Sequence, residues 1–544
     1  MSKKLRYALL GLIFLGSTAA VTVQNDKLFE ISKNLEIFIS VYRELNTNFV
    51  DELDPSTMMR TAIDAMTHRL DPYTNYVSES EAESYWINDD EKYQGIGAKV
   101  GLVAEKLRIL EPFEGGPAHA AGIRAGDQIV AINGARIEGK KMEEINAIMR
   151  GLPGTDVTLT VIPNGKDVVE DKKMKRGEVN IPNVPYSGFV SDDVGYISLT
   201  VFTQNASNNI SKALRDLKGK NPDMAGVILD LRQNGGGLLH EAVNICNLFV
   251  PTGEAVVSTK GKIKERDQIF KTLNPPSDLE IPLAILIDKR SASASEIVSG
   301  VIQDLDRGVL IGQRSFGKGL VQNTKELPYN SRLKLTTSKY YIPSGRCIQG
   351  VEYENGEPKD IPDSQRSKFR TRNGRTVLDG GGVTPDVKLP AREILPVTQA
   401  LLEQHVIFEY ANKFCAGKDS LHSADKFKFS DYNDFIEFVK KYGFKYETQA
   451  EKHLKLSQEE MVKQNKTEMA EEVKKLLARI ENSKSNELML AKSQITGEIE
   501  KEIVSRYQFQ KGRVRHTLDN DNEIKEAVNI LKDTKRYKAL LSLK

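Results

Sequence analysis

The feature that most constrains this chain is an alternation between residues 194 and 312. Short apolar runs at 194–199, 225–231, 283–288 and 309–312 read as strands. Between them, 207–218, 238–249 and 294–305 carry helical spacing. Strands that alternate with helices in this way call for a layered α/β core, because each apolar face must be covered by the next element. A long β run at 332–342 follows.

The flanks differ in character. Lys3, Lys4 and Arg6 precede an apolar stretch at 7–16 and the small residues Ser17, Thr18, Ala19 and Ala20, the pattern of a secretory signal. Weak apolar character runs on to Val23, near the lower limit of about 17 residues for crossing a bilayer. A cleaved signal and a retained anchor both stay open, and both place the rest of the chain in the periplasm or cell envelope. Residues 28–85 read as helical. Ile37, Val41, Leu45 and Phe49 form a stripe expected to pack, and Asp54-Pro55 starts a second helix that Pro72 closes. Residues 93–162 are a small α+β module, with β runs at 98–103, 108–110, 128–132 and 157–161, a helix at 142–149 and a short turn at 117–121. The lysine-rich stretch 164–182 reads as an exposed hairpin or linker. From about 391 helices dominate, with solvated faces, a dimer contact or a covering domain as their uses. The resulting division is 1–24, 25–85, 86–165, 166–390 and 391–544.

Composition removes some functions. With 544 residues the chain exceeds one core. Its 77 basic and 75 acidic residues leave a net charge of +2, which gives no support to a nucleic-acid partner. Cys246, Cys347 and Cys415 contain no CxxC pair and cannot complete a disulfide framework, so no metal site is expected from them.

Three segments carry chemistry. The first, Asp288-Lys-Arg-Ser-Ala-Ser-Ala-Ser-Glu296, lies where a buried strand ends and a helix begins. Ligands gather at such strand ends, and the helix start offers free N–H donors and a positive dipole end that suit an oxyanion. The second is Ser315-Phe-Gly-Lys318-Gly-Leu-Val-Gln322. A hydroxyl needs a base to become a nucleophile, and lysine is a base only when neutral. Lowering its reference pKa from about 10.4 to about 7.5 takes roughly 4 kcal/mol, which burial can supply. Glycines beside Lys318 allow close backbone approach, Phe316 could exclude water, and Gln322 could orient the amine. A merely capped helix and an exposed loop fit these residues too. The third, Leu229-Asp-Leu-Arg-Gln-Asn234-Gly-Gly-Gly-Leu238, again joins a strand to a helix and frees backbone N–H groups. No P-loop or dinucleotide fingerprint is present there, and His240-Glu241 lacks the second histidine of HExxH. No histidine lies in a triad-like context with these serines, which favours lysine as base.

The segments DLRQNGGGLL, SASASEIVSG and SFGKGLVQ resemble the signatures of the carboxy-terminal processing peptidases, or tail-specific proteases, and the similarity spans roughly 35–390. YQGIGAKV…GGPAHAAGIRAGDQIVAINGARI resembles the PDZ domain those enzymes carry. The resemblance implies an α/β fold with a crotonase-like protease core, an inserted PDZ domain and helical terminal regions. The family's spacing of nucleophile and lysine selects Ser293 for Lys318. Gln322 matches a lysine-supporting glutamine and Glu296 a supporting acid. Two backbone amides are implied as oxyanion donors: Ala294, and one of 235–237, with Gly236 chosen. Gly235 departs from the family's proline, so this loop is expected to be looser. Gly95, Ile96 and Gly97 match the loop that offers N–H groups to a terminal carboxylate, the peptide adding as a β-strand. The implied partners are protein or peptide substrates with free C-termini. No cofactor or metal is called for, while homo-oligomerisation and an envelope adaptor stay open. Two other functions compete: a non-catalytic tail-binding scaffold, and crotonase-type acyl-CoA chemistry, which the export signal speaks against.

Overall fold

The computed structural model describes residues 27–79, 93–179, 181–354, 357–360, 362–421, 426–484 and 486–543. The expected signal segment lies outside them, as do residues 80–85 of the expected helical region. No helix among the described residues is long and apolar enough to cross a membrane. The chain divides into two units, 1–76 with 354–357, and 77–353 with 358–544.

In the first unit a helix covers 27–48, and a second, Pro55–His68, begins where Asp54 accepts the N–H groups of Ser56 and Thr57. That carboxylate satisfies two donors the helix start leaves over, and Pro55 has none to lose. Ile37, Val41, Leu45 and Phe49, expected as a packing face, are exposed.

The second unit holds a six-stranded sheet in the order Tyr186–Phe189, Val194–Ser198, Gly226–Asp230, Leu283–Ile287, Val309–Gly312, Val387–Lys388. Only the first pairing is antiparallel. Every residue of the four central strands is buried, as a sheet covered on both faces requires. On one face Ile210, Leu214, Ile245, Phe249, Ile297 and Val301 come from the three helices the sequence alternation predicts. The other face is covered by Ile524, Ala527, Ile530 and Tyr537 from the far C-terminus. The C-terminal helices are thus a covering element as well as a bundle with its own core around Tyr410, Phe435 and Ile499. An antiparallel sheet pairs Arg332–Tyr341 with both Leu320–Glu326 and Ala255–Gly261.

The small α+β module forms a sheet in the order Ala98–Val103, Lys106–Pro112, Gln128–Ile132, Asp156–Ile162, Glu170–Lys175. Its core is Ile96, Ile109, Ile129, Ile145 and Leu159. The last strand lies in the stretch read as hairpin or linker: Glu170–Lys175 pairs residue by residue with Asp156–Val161, and Gly177–Val179 pairs with Tyr93–Gly95. The hairpin alternative describes this segment. The module also bonds to the C-terminal helices, through Arg108 to Glu409 at 2.8 Å and Asn164 Nδ2 to the Asn412 carbonyl at 2.8 Å.

Candidate active site

Ser291, Ser293 and Ser295 follow the strand Leu283–Ile287 and lead into the helix Ala294–Asp304. Their hydroxyls have different fates. Ser291 Oγ is buried, donates to the Leu231 carbonyl at 2.8 Å and accepts the Asp288 N–H. Ser295 Oγ is buried and donates to the Asn234 carbonyl at 2.9 Å. Ser293 is half-buried and stands at the cap of the helix, where the Glu296 side chain accepts its N–H in a capping box. Its backbone is strained, with φ 55° and ψ −114°, a conformation that costs a non-glycine residue on the order of 1–3 kcal/mol. The surroundings must therefore hold it.

Glu296 supplies much of that hold. Its carboxylate is fully buried and takes four donors. Oε2 accepts the N–H of Ser293 and the N–H of Lys318, each at 2.8 Å. Oε1 accepts the N–H of Gly317 at 2.6 Å and the Ser315 hydroxyl at 2.5 Å. Because one oxygen serves both, the amide nitrogens of Ser293 and Lys318 lie no farther apart than twice 2.8 Å. Burial pushes the Glu296 carboxyl up to about 7, against the four hydrogen bonds that favour its charged form. The sequence marks Glu296 only as a supporting acid; its link to both segments arises from contacts between parts of the chain that the motif does not join.

The lysine segment is also set by its neighbours. Gly317 has φ 92°, and a Cβ there would stand 2.7 Å from the Gly350 Cα, so only glycine permits this approach. Gly319 donates to Gln349 Oε1 at 2.7 Å, and the Tyr340 hydroxyl bonds the Lys318 carbonyl. Lys318 is half-buried. Phe316, expected to exclude water, is 56% exposed, and its N–H donates to the Ser291 carbonyl at 3.0 Å. Gln322 lies in the strand Leu320–Glu326, where the register slips between Val321 and Gln322, and its Nε2 donates to Thr336 Oγ1 at 3.2 Å.

The glycine loop lies against the serine. A Cβ on Gly236 would stand 2.9 Å from both Ser293 Cβ and the Ala294 nitrogen. Asn234, fully buried, accepts Ala292 N–H through its carbonyl at 3.0 Å and sends Nδ2 to the Leu199 carbonyl at 2.8 Å. The Gly236 N–H donates to Asn234 Oδ1 at 2.9 Å, so the expected oxyanion donor is engaged in this arrangement. Among the described residues no acceptor takes the N–H of Ala294, the first residue of its helix, or that of Gly237.

In the small module, Gly95 belongs to the strand paired with Gly177–Val179 rather than to an open loop. Ile96 is fully buried and gives its carbonyl to the Ala118 N–H, while the Gly97 carbonyl takes that of Phe113. Gly97 has φ 75°, with Pro117 and Val179 at 3.0 and 3.1 Å from where a Cβ would stand. The strand Ala98–Val103 that follows is an edge of the module's sheet.

A strained serine stands at a helix start, beside a glycine loop and tied through Glu296 to a lysine loop, with a PDZ-type module in the same chain. The family models and the curated relatives give the family. Peptidase family S41 matches residues 193–356, a PDZ domain 108–163, and a domain described as "Probable PDZ-protease, C-terminal helical domain" 397–531. The chain is 35% identical over 336 residues to a carboxy-terminal-processing protease of Bartonella bacilliformis, covering 61% of this chain and 76% of that one. It is 33% identical over 417 residues to a Staphylococcus aureus protein described as "Probable CtpA-like serine protease", covering 73% and 82%. Among solved structures, the photosystem II D1 C-terminal processing protease aligns over 65% of this chain and 92% of its own at 23% identity, with a TM-score of 0.35. The chain belongs to the carboxy-terminal processing proteases of peptidase family S41.

Proposed function

We propose that the protein is an exported serine endopeptidase that captures substrate C-terminal tails on its PDZ domain and cleaves with Ser293 as nucleophile and Lys318 as base. The observation that carries this reading is the single Glu296 oxygen that binds the N–H groups of both residues. Of the three alternating serines, Ser291 and Ser295 are buried and give their hydroxyl protons to the Leu231 and Asn234 carbonyls, while Ser293 is the half-buried one at the helix cap.

Ser293 Oγ attacks the scissile carbonyl while neutral Lys318 Nζ takes its proton. The Ala294 N–H meets the developing oxyanion from the helix start, where the dipole favours negative charge. The second donor comes from the glycine run. Gly236 stands nearest to Ser293 and serves once its N–H turns from Asn234 Oδ1 to the substrate. Lys318 then gives its proton to the leaving amine, and it activates the water that releases the acyl group. Gln322 keeps a supporting role on the strand after Lys318, and no step calls for a metal or cofactor. A substrate tail adds along the edge strand Ala98–Val103, with its carboxylate at residues 95–97, where the strand Tyr93–Gly95 ends and the chain bends at Ile96 and Gly97. Export rests on the basic and apolar pattern of the first 24 residues.

The test is hydrolysis of casein and of a fluorogenic peptide with a free apolar C-terminus. The wild type should cleave both, and Ser293→Ala neither. Equal turnover by Ser293→Ala would end the assignment.

A further inference from the structure

Two residues before Asn234, Arg232 fastens the base of the glycine loop. Its guanidinium is a fork on Asp230, with Nε at 3.0 Å from Oδ1 and Nη2 at 2.6 Å from Oδ2. Asp230 ends the central strand Gly226–Asp230 and is held by the Tyr196 hydroxyl at 2.8 Å. The remaining nitrogen, Nη1, leaves the peptidase core. It reaches Asp521 Oδ2 at 2.7 Å and Glu523 Oε2 at 2.5 Å.

Both carboxylates belong to the start of the C-terminal helix Asn522–Lys532. Asp521 is its cap, accepting the N–H groups of Glu523 and Ile524 at 2.9 and 3.2 Å, so its oxygens are fixed to the helix frame. The helix is itself fixed to the sheet by Ile524, Ala527, Ile530 and Leu531. Glu523 Oε1 also takes the Gln313 side-chain amide, next to the strand Val309–Gly312. Arg232, Asp521 and Glu523 are each less than one-fifth exposed, so these are shielded, charge-assisted bonds rather than a loose surface pair.

We propose that Asp521 and Glu523 are positioning residues of the active site, which set the glycine loop 234–237 through Arg232. Asn234 is held from the serine side by its bonds to Leu199, Ala292 and Ser295, and Arg232 adds an anchor from the strand side. Nothing lies within 4 Å of where a Gly235 Cβ would stand, so packing does not fix that residue. The Gly236 amide must turn relative to Asn234 Oδ1 for catalysis, and a swing of that kind needs a fixed base. The inference rests on the Ser293–Lys318 reading, because only an oxyanion-binding loop gives this positioning a kinetic meaning.

The segment has a second attachment. The helix Lys492–Leu518 is broken at Phe509, at φ 52° and ψ −151°. The Phe509 ring lies edge-on to His119 of the PDZ domain at 4.9 Å, and Arg513 pairs with Glu111 at 3.1 Å. His119 is two residues beyond Pro117, which packs on Gly97 of the tail-binding turn. One stretch, 509–523, therefore touches both the PDZ domain and, at Arg232, the residue two before Asn234 of the glycine loop.

The test is the paired variant Asp521→Asn/Glu523→Gln in the full chain, which keeps side-chain shape and the helix cap while removing both charges. Four quantities are measured: kcat, KM, the rate of Ser293 labelling by a fluorophosphonate, and the thermal midpoint. The expected result is a kcat lower by about tenfold or more, toward the roughly 10²–10³ of losing an oxyanion donor outright. KM should stay within about twofold, labelling should slow in parallel with kcat, and the midpoint should move by only a few degrees. In an Arg232→Ala background the pair should add no further loss. If the paired variant does not fold, Glu523→Gln alone carries the same comparison. Unchanged kcat, or a loss that adds in full to that of Arg232→Ala, overturns the inference. An active wild type with unchanged variants overturns it alone; a wild type that neither cleaves nor labels overturns the reading beneath it as well.

Discussion

Glu296→Gln probes the clamp between the serine and lysine segments, because four donors converge on two carboxylate oxygens. A glutamine brings one oxygen and one NH2 group. If its oxygen faces Ser293 and Lys318, the NH2 faces Ser315 and Gly317. The Ser315 hydroxyl can turn to accept, but the Gly317 N–H cannot. At least one buried amide then loses its acceptor, which costs about 1–3 kcal/mol. The opposing term is the buried charge. Moving a carboxyl from an ordinary 4.5 to about 7 corresponds to on the order of 3 kcal/mol of destabilisation of the charged form at pH 8. The neutral amide escapes that cost, so the two changes nearly cancel and the thermal midpoint at pH 8 should shift by only a few degrees. Activity should not be spared, since displaced Ser293 and Lys318 backbones misalign the reacting groups by a fraction of an ångström, worth about 10–100-fold in kcat. The pH dependence has a definite sign. A folded-state pKa above the unfolded one gives stability that is full below about 4.5 and lost as pH rises through about 7. Activity runs the other way, because the clamp accepts all four donors only when ionised. Thermal melts and peptide hydrolysis between pH 5 and 8, on wild type and variant, read both slopes. A variant with wild-type kcat, or one that keeps the wild-type stability slope, would refute the reasoning.

Ser291→Ala and Ser295→Ala should each lose about 1–3 kcal/mol from buried, unmatched carbonyls yet keep measurable hydrolysis; chemical denaturation beside a turnover assay checks both halves. Lys318→Arg should be inactive, because a guanidinium stays protonated, and steady-state kinetics on the tailed peptide would show it. Peptides with a free apolar C-terminus should be cleaved faster than amidated copies, and equal rates would remove tail recognition. Removal of the PDZ domain for that comparison should span 93–179, since Glu170–Lys175 and Gly177–Val179 are strands paired to it. Hydrolysis should be indifferent to EDTA, and loss restored by zinc would reveal a metal step.

The central strands were legible because a buried parallel strand is an apolar run with a helix on either side, and 226–230 or 283–287 can be little else. The strand Glu170–Lys175 was legible only as one of two alternatives, hairpin or linker, because Met174 is its one buried side chain and a lysine-rich edge has no apolar period to read. Apolar spacing at Ile524, Ala527 and Ile530 tells that a helix has a buried face but not that the face covers the catalytic sheet. At the site, the serine and lysine segments carried their motifs in sequence. The direction of a single N–H did not: Gly236 toward Asn234 Oδ1, or Ser293 and Lys318 toward one Glu296 oxygen, depends on contacts between segments far apart in the chain. Phe316 shows the limit from the other side, since an aromatic beside a lysine can as well face solvent.

The central claim is that Lys318 activates Ser293, and active-site labelling read by intact mass tests it most directly. Wild type and the Lys318→Ala and Ser293→Ala variants are incubated with a fluorophosphonate at pH 8, and the adduct is located by peptide mapping. The expected result is one adduct on Ser293 in the wild type, none in Ser293→Ala, and labelling slowed by about 10²-fold or more in Lys318→Ala, the scale of a lost general base. An adduct on another serine, or Ser293 labelled at the wild-type rate without Lys318, would contradict it.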